Sequence, residues 1–208
     1  MRRCSKFSLL FITDGFDQAT PGLVAAALGA IPQGLAAIEL RAKALSGRAL
    51  FDAARHLKET TQSLQAPLLV NDRVDVALAV RAEGVHLPSA GVPVAWVRAR
   101  APEWVIGLST HSLSEIAQAE RDGADYVTYG PVFATPNKGA PVGLDMLRRA
   151  AGSAAIPIFA LGGVGRDQAA ACVAAGARIA CIRAVLGGSA ERAATEARAL
   201  ATVVQMGS

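Results

Sequence analysis

One lysine, Lys138, sits among small residues in a loop that follows the apolar run Tyr126 to Tyr129. The stretch Asp125 to Gly143 reads DYVTYGPVFATPNKGAPVG, and it carries Thr135 and Asn137 beside that lysine. A second apolar run, Ile156 to Leu161, ends in Gly162-Gly163. Backbone N–H groups at such glycines can approach an anion closely, and a lysine adds a point charge. The chemistry suggested is the binding of a phosphorylated small molecule.

Other polar residues follow apolar runs in the same way. They are Thr13 and Asp14, Arg41 and Lys43, Asn71 and Asp72, Ser89, Ser109 to His111, and Arg183. His111 reads either as the start of a helix capped by Thr110 or Ser112, or as a general acid/base that titrates near neutrality. His86 ends an apolar run, where a buried imidazole is expected to be hydrogen-bonded within the core. His56 falls on a helical stretch and is expected to face solvent.

The elements that must position these residues alternate along the chain. Strands are expected over Ser8–Thr13, Ala36–Leu40, Pro67–Val70, Gly84–Leu87, Val105–Leu108, Tyr126–Tyr129, Ile156–Leu161 and Ile179–Arg183. Alanine-rich helical patterns fill the gaps: Pro21–Ile31, Gly47–Leu64, Val74–Val80, Val92–Arg100, Leu113–Arg121, Leu144–Ala150, Arg166–Ala175 and Glu191–Val204. Three strand entries repeat one wording, AEGVHL, DGADYV and AGARIA, as expected where a helix stops at glycine and a strand follows. Eight such units imply an α/β fold, a (β/α)8 TIM barrel of minimal size forming one domain over residues 1–208. A doubly wound open sheet is the alternative. In a barrel, the polar residues past the strands converge on one mouth.

Composition narrows the class. The 208 residues are 52% hydrophobic and 18% charged, as in a globular domain rather than a disordered one. A net charge of +4 without a basic run argues against nucleic-acid binding. Apolar runs are broken too early for a membrane span, and Met1 to Ser8 lacks the apolar core of a signal peptide. Cys4, Cys172 and Cys181 show no metal-ligand spacing and read as free thiols of a cytoplasmic protein.

The motifs IELRAK, LLVNDRVDVAL, EGVHL, GLSTHS, GADYVTYGPVFATPNKG and ALGGV resemble the thiamine phosphate synthase/TenI family, in order and at its spacing. The resemblance implies the same barrel and an enzyme of thiamine biosynthesis. Two activities occur in the family. Synthases join hydroxymethylpyrimidine diphosphate to a thiazole phosphate, with Mg²⁺ on the pyrophosphate. TenI-type proteins tautomerise a carboxylated thiazole phosphate without needing Mg²⁺. A non-catalytic binder or regulator on the same fold is a third reading.

Departures from the synthase pattern place the chain between the two activities. Glu39 stands where synthases have a glutamine that contacts the pyrimidine, while Arg41 and Lys43 keep the basic pair. Gly91 stands where a second Mg²⁺-binding aspartate is expected, and Leu87-Pro88-Ser89 looks like TenI. Asn71 and Asp72 match the pyrophosphate and Mg²⁺ positions, although Asp72 also reads as a cap for the helix at Val74. Arg183 replaces a serine near the thiazole phosphate, and would either bind that phosphate or fill its pocket.

These departures favour the TenI-like tautomerase, with synthase as the alternative. His111 and Lys138 are the candidate catalytic residues. Arg41, Lys43, Asn71, Ser109, Thr135, Asn137, Lys138, Gly162, Gly163 and Arg183 are the candidate substrate-binding residues, and Asp72 is the candidate metal ligand. The expected partner is a phosphorylated thiazole, not nucleic acid or membrane; association into a homo-oligomer is left open.

Overall fold

The computed structural model describes residues 7–136 and 138–207, so Asn137 and Cys4 lie outside the described residues. In chain order the elements are β1 (Leu9–Ile12), α1 (Thr20–Gly29), β2 (Ala36–Leu40), α2 (Gly47–Ser63), β3 (Leu68–Asn71), α3 (Val74–Ala79), β4 (Gly84–Leu87) and α4 (Val94–Arg100). They continue as β5 (Val105–Thr110), α5 (Leu113–Arg121), β6 (Tyr126–Tyr129), α6 (Gly143–Ser153), β7 (Ile158–Ala160), α7 (Arg166–Ala174), β8 (Arg178–Cys181), α8 (Arg183–Leu186) and α9 (Ala190–Met206). Each strand pairs in parallel with the next, and β8 returns to β1, so the sheet closes into a barrel. The open sheet is thereby excluded. Among the described residues, no helix is long and apolar enough to cross a membrane.

Strand alternation sorts the side chains into two cores. Leu9, Phe11, Ile38, Leu40, Val70, Val85 and Val127 face the helices. Leu10, Ile12, Ala37, Leu69, Tyr126, Phe159 and Ala180 face the barrel axis, with Phe7 closing the N-terminal end. Serines start three helices: Ser46, Ser112 and Ser189 accept hydrogen bonds from Ala49, Glu115 and Arg192 N–H groups.

β2 ends at Leu40 as expected, so Arg41 and Lys43 lie in the loop that follows it. Boundaries differ where local chemistry takes over. β8 stops at Cys181, and Arg183 opens the four-residue α8, which sequence patterning does not reveal. Below the sheet, the Arg98 guanidinium donates to the carbonyls of Gly123 and Trp104 and to Asp125, while Asp125 also accepts from Ile106 N–H. This clamp ties α4 to the turn that feeds β6, where the DGADYV wording occurs.

The barrel interior is filled across strands. Tyr126 is fully buried and packs edge-on against Phe7 and Phe159, with ring centroids at 5.8 and 5.1 Å. It has room because its neighbour across the β5–β6 pair is Gly107. A Cβ at Gly107 would meet the Tyr126 ring at 2.1 Å and its hydroxyl at 2.4 Å. Overpacking of this kind typically costs about 1–3 kcal/mol. Gly107→Ala should therefore lose stability of about that size in urea unfolding; an unchanged midpoint would show that the ring moves aside freely.

Candidate functional site

The C-terminal strand ends carry the site. At β1 and β2, the Thr13 hydroxyl donates to the Arg41 carbonyl (3.1 Å) and accepts from the Arg41 N–H (2.9 Å). This double bond pins the two strand ends together, and fixes the backbone from which Arg41 projects. Asp14 then lies between two cations: Arg41 Nη1 is 3.7 Å from one carboxylate oxygen, and Arg183 Nη1 is 4.0 Å from the other. Asp14, to which the pattern of motifs gives no binding role, thus joins the loops after β1, β2 and β8. Lys43 is exposed beside this cluster.

Below Arg41, Glu39 points into the barrel and is almost fully buried. Asn71 Nδ2 donates to Glu39 Oε1 (3.0 Å) and more weakly to the His86 carbonyl (3.3 Å). Glu39 Oε2 has no hydrogen-bond partner among the described residues. His86 is equally buried, and is held as expected: Tyr126 Oη lies 2.9 Å from Nδ1, and Ser109 Oγ 2.9 Å from Nε2. A neutral imidazole donates through one nitrogen and accepts through the other. Ser109, a candidate binding residue, is thus already engaged with His86.

Asp72 is exposed, with a left-handed backbone (φ 64°) that aspartate tolerates better than most residues. It does not cap α3, as one reading expected; the capping position is Arg73, without a side-chain cap. The carboxylate is free of hydrogen bonds and ion pairs to described residues. Among those residues, no group of three His, Cys, Asp or Glu could hold a metal.

His111 follows β5 and is exposed. Its Nδ1–H donates to the Gly130 carbonyl at the end of β6 (2.8 Å). That choice of tautomer leaves Nε2 as the basic nitrogen of the neutral ring. Its own N–H is taken by the Glu115 carboxylate (2.7 Å), and Ser112 is the cap. Thr110 instead donates to the Thr128 carbonyl (2.9 Å).

The two glycine-rich loops touch. Phe133 N–H donates to the Gly162 carbonyl (3.0 Å), and Val132 N–H to the Leu161 carbonyl (2.9 Å). Gly162 and Gly163 both have left-handed backbones, with φ of 96° and 66°. A Cβ on Gly162 would meet Pro131 at 2.6 Å, and one on Gly163 would meet Phe133 at 2.8 Å. The glycines thus have a packing reason as well as any ligand reason. Thr135 donates to the Phe133 carbonyl (3.0 Å), and Lys138 is exposed on the same loop.

Two buried groups hold unusual protonation. Burial pushes the Glu39 carboxyl up to about 8, with Arg41, Asn71 and Lys43 pulling the other way. Burial pushes His86 down to about 3. At neutral pH the 3.9 Å approach of His86 Nδ1 to Glu39 Oε2 is therefore a contact between uncharged groups rather than an ion pair. Burial likewise pushes the Cys181 thiol up to about 12 and that of Cys172 up to about 11, so both stay protonated.

The consequences for stability follow from which state holds the proton. Between the ordinary carboxyl value of 4.5 and about 8, the folded chain keeps the Glu39 proton and the unfolded chain releases it, so stability falls as pH rises. His86 acts oppositely between about 3 and 6.5, where only the unfolded chain is protonated. Above 6.5 only the Glu39 effect remains. Urea unfolding should show stability decreasing from pH 6.5 to about 8, and Glu39→Gln should remove that slope. A slope that survives in the variant would mean that Glu39 is not its source.

Comparison with known proteins identifies the family. The profile described as thiamine monophosphate synthase matches residues 9–185. A relative from Chloroflexus aurantiacus described as thiamine-phosphate synthase is 44% identical over 181 residues, covering 85% of this chain and 84% of its own length. Another so described, from Moorella thermoacetica, is 42% identical over 181 residues and covers 85% of each. The solved structure of thiamine phosphate pyrophosphorylase from Pyrococcus furiosus superposes with a TM-score of 0.85, at 34% identity and 97% coverage of both chains. With its closed barrel, its matched span and these relatives, the chain belongs to the thiamine monophosphate synthase family.

Proposed function

We propose that this enzyme is a thiamine phosphate synthase, coupling hydroxymethylpyrimidine diphosphate to a thiazole phosphate with release of pyrophosphate. The observation that carries the reading is the 44% identity, over 85% of the chain, to a relative described as thiamine-phosphate synthase. Sequence departures alone favour the TenI-like tautomerase; the relatives support its alternative.

In the coupling reaction, the thiazole nitrogen attacks the pyrimidine methylene carbon, and the bond from that carbon to the diphosphate oxygen breaks. The chain must hold two anionic substrates with their reacting atoms together. Arg41, Lys43 and Asn71 at the ends of β2 and β3 receive the diphosphate. Gly162 and Gly163, with Arg183, receive the thiazole phosphate, and Lys138 supplies charge from the facing loop. In this reading, Asp14 holds Arg41 and Arg183 near the mouth until phosphate oxygens take its place. The work would be done in the cytoplasm.

Asp72 is the residue that would hold Mg²⁺. Its carboxylate is exposed and unpaired among the described residues, which fits a cation that takes one protein carboxylate and fills its shell with water and substrate oxygens. When bound, the ion would stabilise the departing pyrophosphate. Gly91 offers no second ligand, and the turn there has little room for one: a Cβ would meet the Pro88 ring at 2.9 Å. Restoring an aspartate at Gly91 would disturb this turn, so Asp72 is the better residue to test.

Product analysis with both substrates should detect thiamine phosphate, dependent on Mg²⁺ and abolished by chelation. Asp72→Asn should lower kcat/KM by about 10²-fold or more, since a metal stabilises the leaving group by several kcal/mol. Coupling that is indifferent to chelator and to Asp72→Asn would remove the metal from the reading. No coupling at all would remove the synthase.

One observation favours the second reading, a thiazole tautomerase. His111 is oriented by the Gly130 carbonyl so that Nε2 is basic and exposed, as a proton-transfer group requires. If the chain turns over the carboxylated thiazole phosphate, His111→Ala should reduce kcat by about 10²–10⁴-fold and leave KM within a few-fold. Unchanged turnover would make His111 a structural residue.

A further inference from the structure

A chain of hydrogen bonds climbs from the barrel floor to the mouth through three strands. It starts at Tyr126 on β6, whose Oη lies 2.9 Å from His86 Nδ1 on β4. It continues from His86 Nε2 to Ser109 Oγ on β5, also at 2.9 Å, with Thr128 Oγ1 at 3.5 Å as a weaker neighbour. Tyr126 and His86 are buried, whereas Ser109 is partly exposed. Gly107 and Ser109 share one face of β5, and the Tyr126 ring fills the place beside Gly107, so Ser109 is the upper end of the chain. Glu39 Oε2, at 3.9 Å from Nδ1, is beyond hydrogen-bond reach.

A neutral imidazole has one ring proton, which can sit on either nitrogen. With the proton on Nε2, Tyr126 donates to Nδ1, Nε2–H donates to Ser109, and the serine keeps its own hydrogen for a ligand. With the proton on Nδ1, Ser109 gives its hydrogen to Nε2 and offers a ligand lone pairs alone. A phenol, with a pKa of about 10, is a stronger donor and a weaker acceptor than an aliphatic hydroxyl, which favours the first arrangement. The place of the serine gives a second reason. Asn71 Nδ2 lies 3.3 Å from the His86 carbonyl, so Asn71 and Ser109 flank β4 from the two adjacent strands. On the synthase reading Asn71 receives the diphosphate, whose oxygens are acceptors. A serine without a hydrogen to give would repel them.

We propose that Tyr126 is a positioning residue: its hydroxyl fixes the His86 ring proton on Nε2 and thereby makes Ser109 a donor towards a diphosphate oxygen. This deepens, and rests on, the synthase reading. Tyr126 acts from the barrel floor, through His86. A phenylalanine in its place would keep the packing against Phe7 and Phe159 but leave the ring proton unassigned. No proton is transferred to substrate; the hydroxyl sets the direction in which the chain of bonds runs.

The first measurement is nitrogen NMR of the chain with isotopically labelled histidines, His86 being identified by the loss of its signals in His86→Gln. The wild-type ring should show a protonated Nε2 and a bare Nδ1; a protonated Nδ1 overturns the proposal. The second is calorimetric binding of inorganic pyrophosphate with Mg²⁺ to the wild type, Ser109→Ala, Tyr126→Phe and the double variant. Ser109→Ala should weaken binding about tenfold or more in the wild type, as expected for a hydrogen bond to a charged group. Once Tyr126 is phenylalanine, the same change should cost less than about twofold. Equal losses in both backgrounds, or no loss in the wild type, overturn the proposal. A Tyr126 that only packs the floor would lower affinity without altering what Ser109→Ala costs. Should Tyr126→Phe fail to fold, the wild-type tautomer alone decides. If the losses are equal but thiamine phosphate forms, the synthase reading stands and the role of Tyr126 falls. If the tautomer and the unequal losses are found but nothing couples, the role of Tyr126 stands and the synthase reading falls.

Discussion

Tyr126 fills the N-terminal half of the barrel because Gly107 leaves it the space, and the interior above depends on that fit. The ring closes the floor together with Phe7 and Phe159. Its hydroxyl rises to His86 Nδ1, and this bond orients the imidazole whose other nitrogen meets Ser109. An apolar plug is thereby joined to a polar layer by one phenol. Tyrosine suits this junction, since it buries a large apolar body while keeping one polar tip.

Polarity increases in steps along the axis. The floor is aromatic. The middle holds His86 and Glu39, both without charge at neutral pH through burial. Ions appear at the rim, where Arg41, Asp14 and Arg183 are partly in water and their attractions are correspondingly weak. Such weak pairs are easily exchanged for the stronger, bidentate contacts that arginine makes with phosphate. A substrate with an anionic tail and a neutral ring matches this order of environments.

Most of the scaffold could be read from local signals. Glycine at the start of β4 and before β6 and β8, serine before α5 and alternation within each strand are short-range features. Arg183 and α8 show the limit: Ile182 continues the apolar run past Cys181, yet β8 ends at Cys181 and Arg183 opens a short helix. The mouth was legible as a list of residues, but their pairings were not. Asp14 joins Arg41 and Arg183 from opposite ends of the chain, and Tyr126 reaches His86 across forty positions. Asp72 looked like a cap because aspartate often is one, but a left-handed backbone turns it out of that role.

The close approach of Gly162 and Gly163 to Pro131 and Phe133 has a mechanical consequence. The two loops share hydrogen bonds and pack closely at both glycines. The glycine pair and the first residues of the loop leading to Lys138 are thus held on a common edge. Displacing one loop strains the bonds to the other, so the loops after β6 and β7 steady each other.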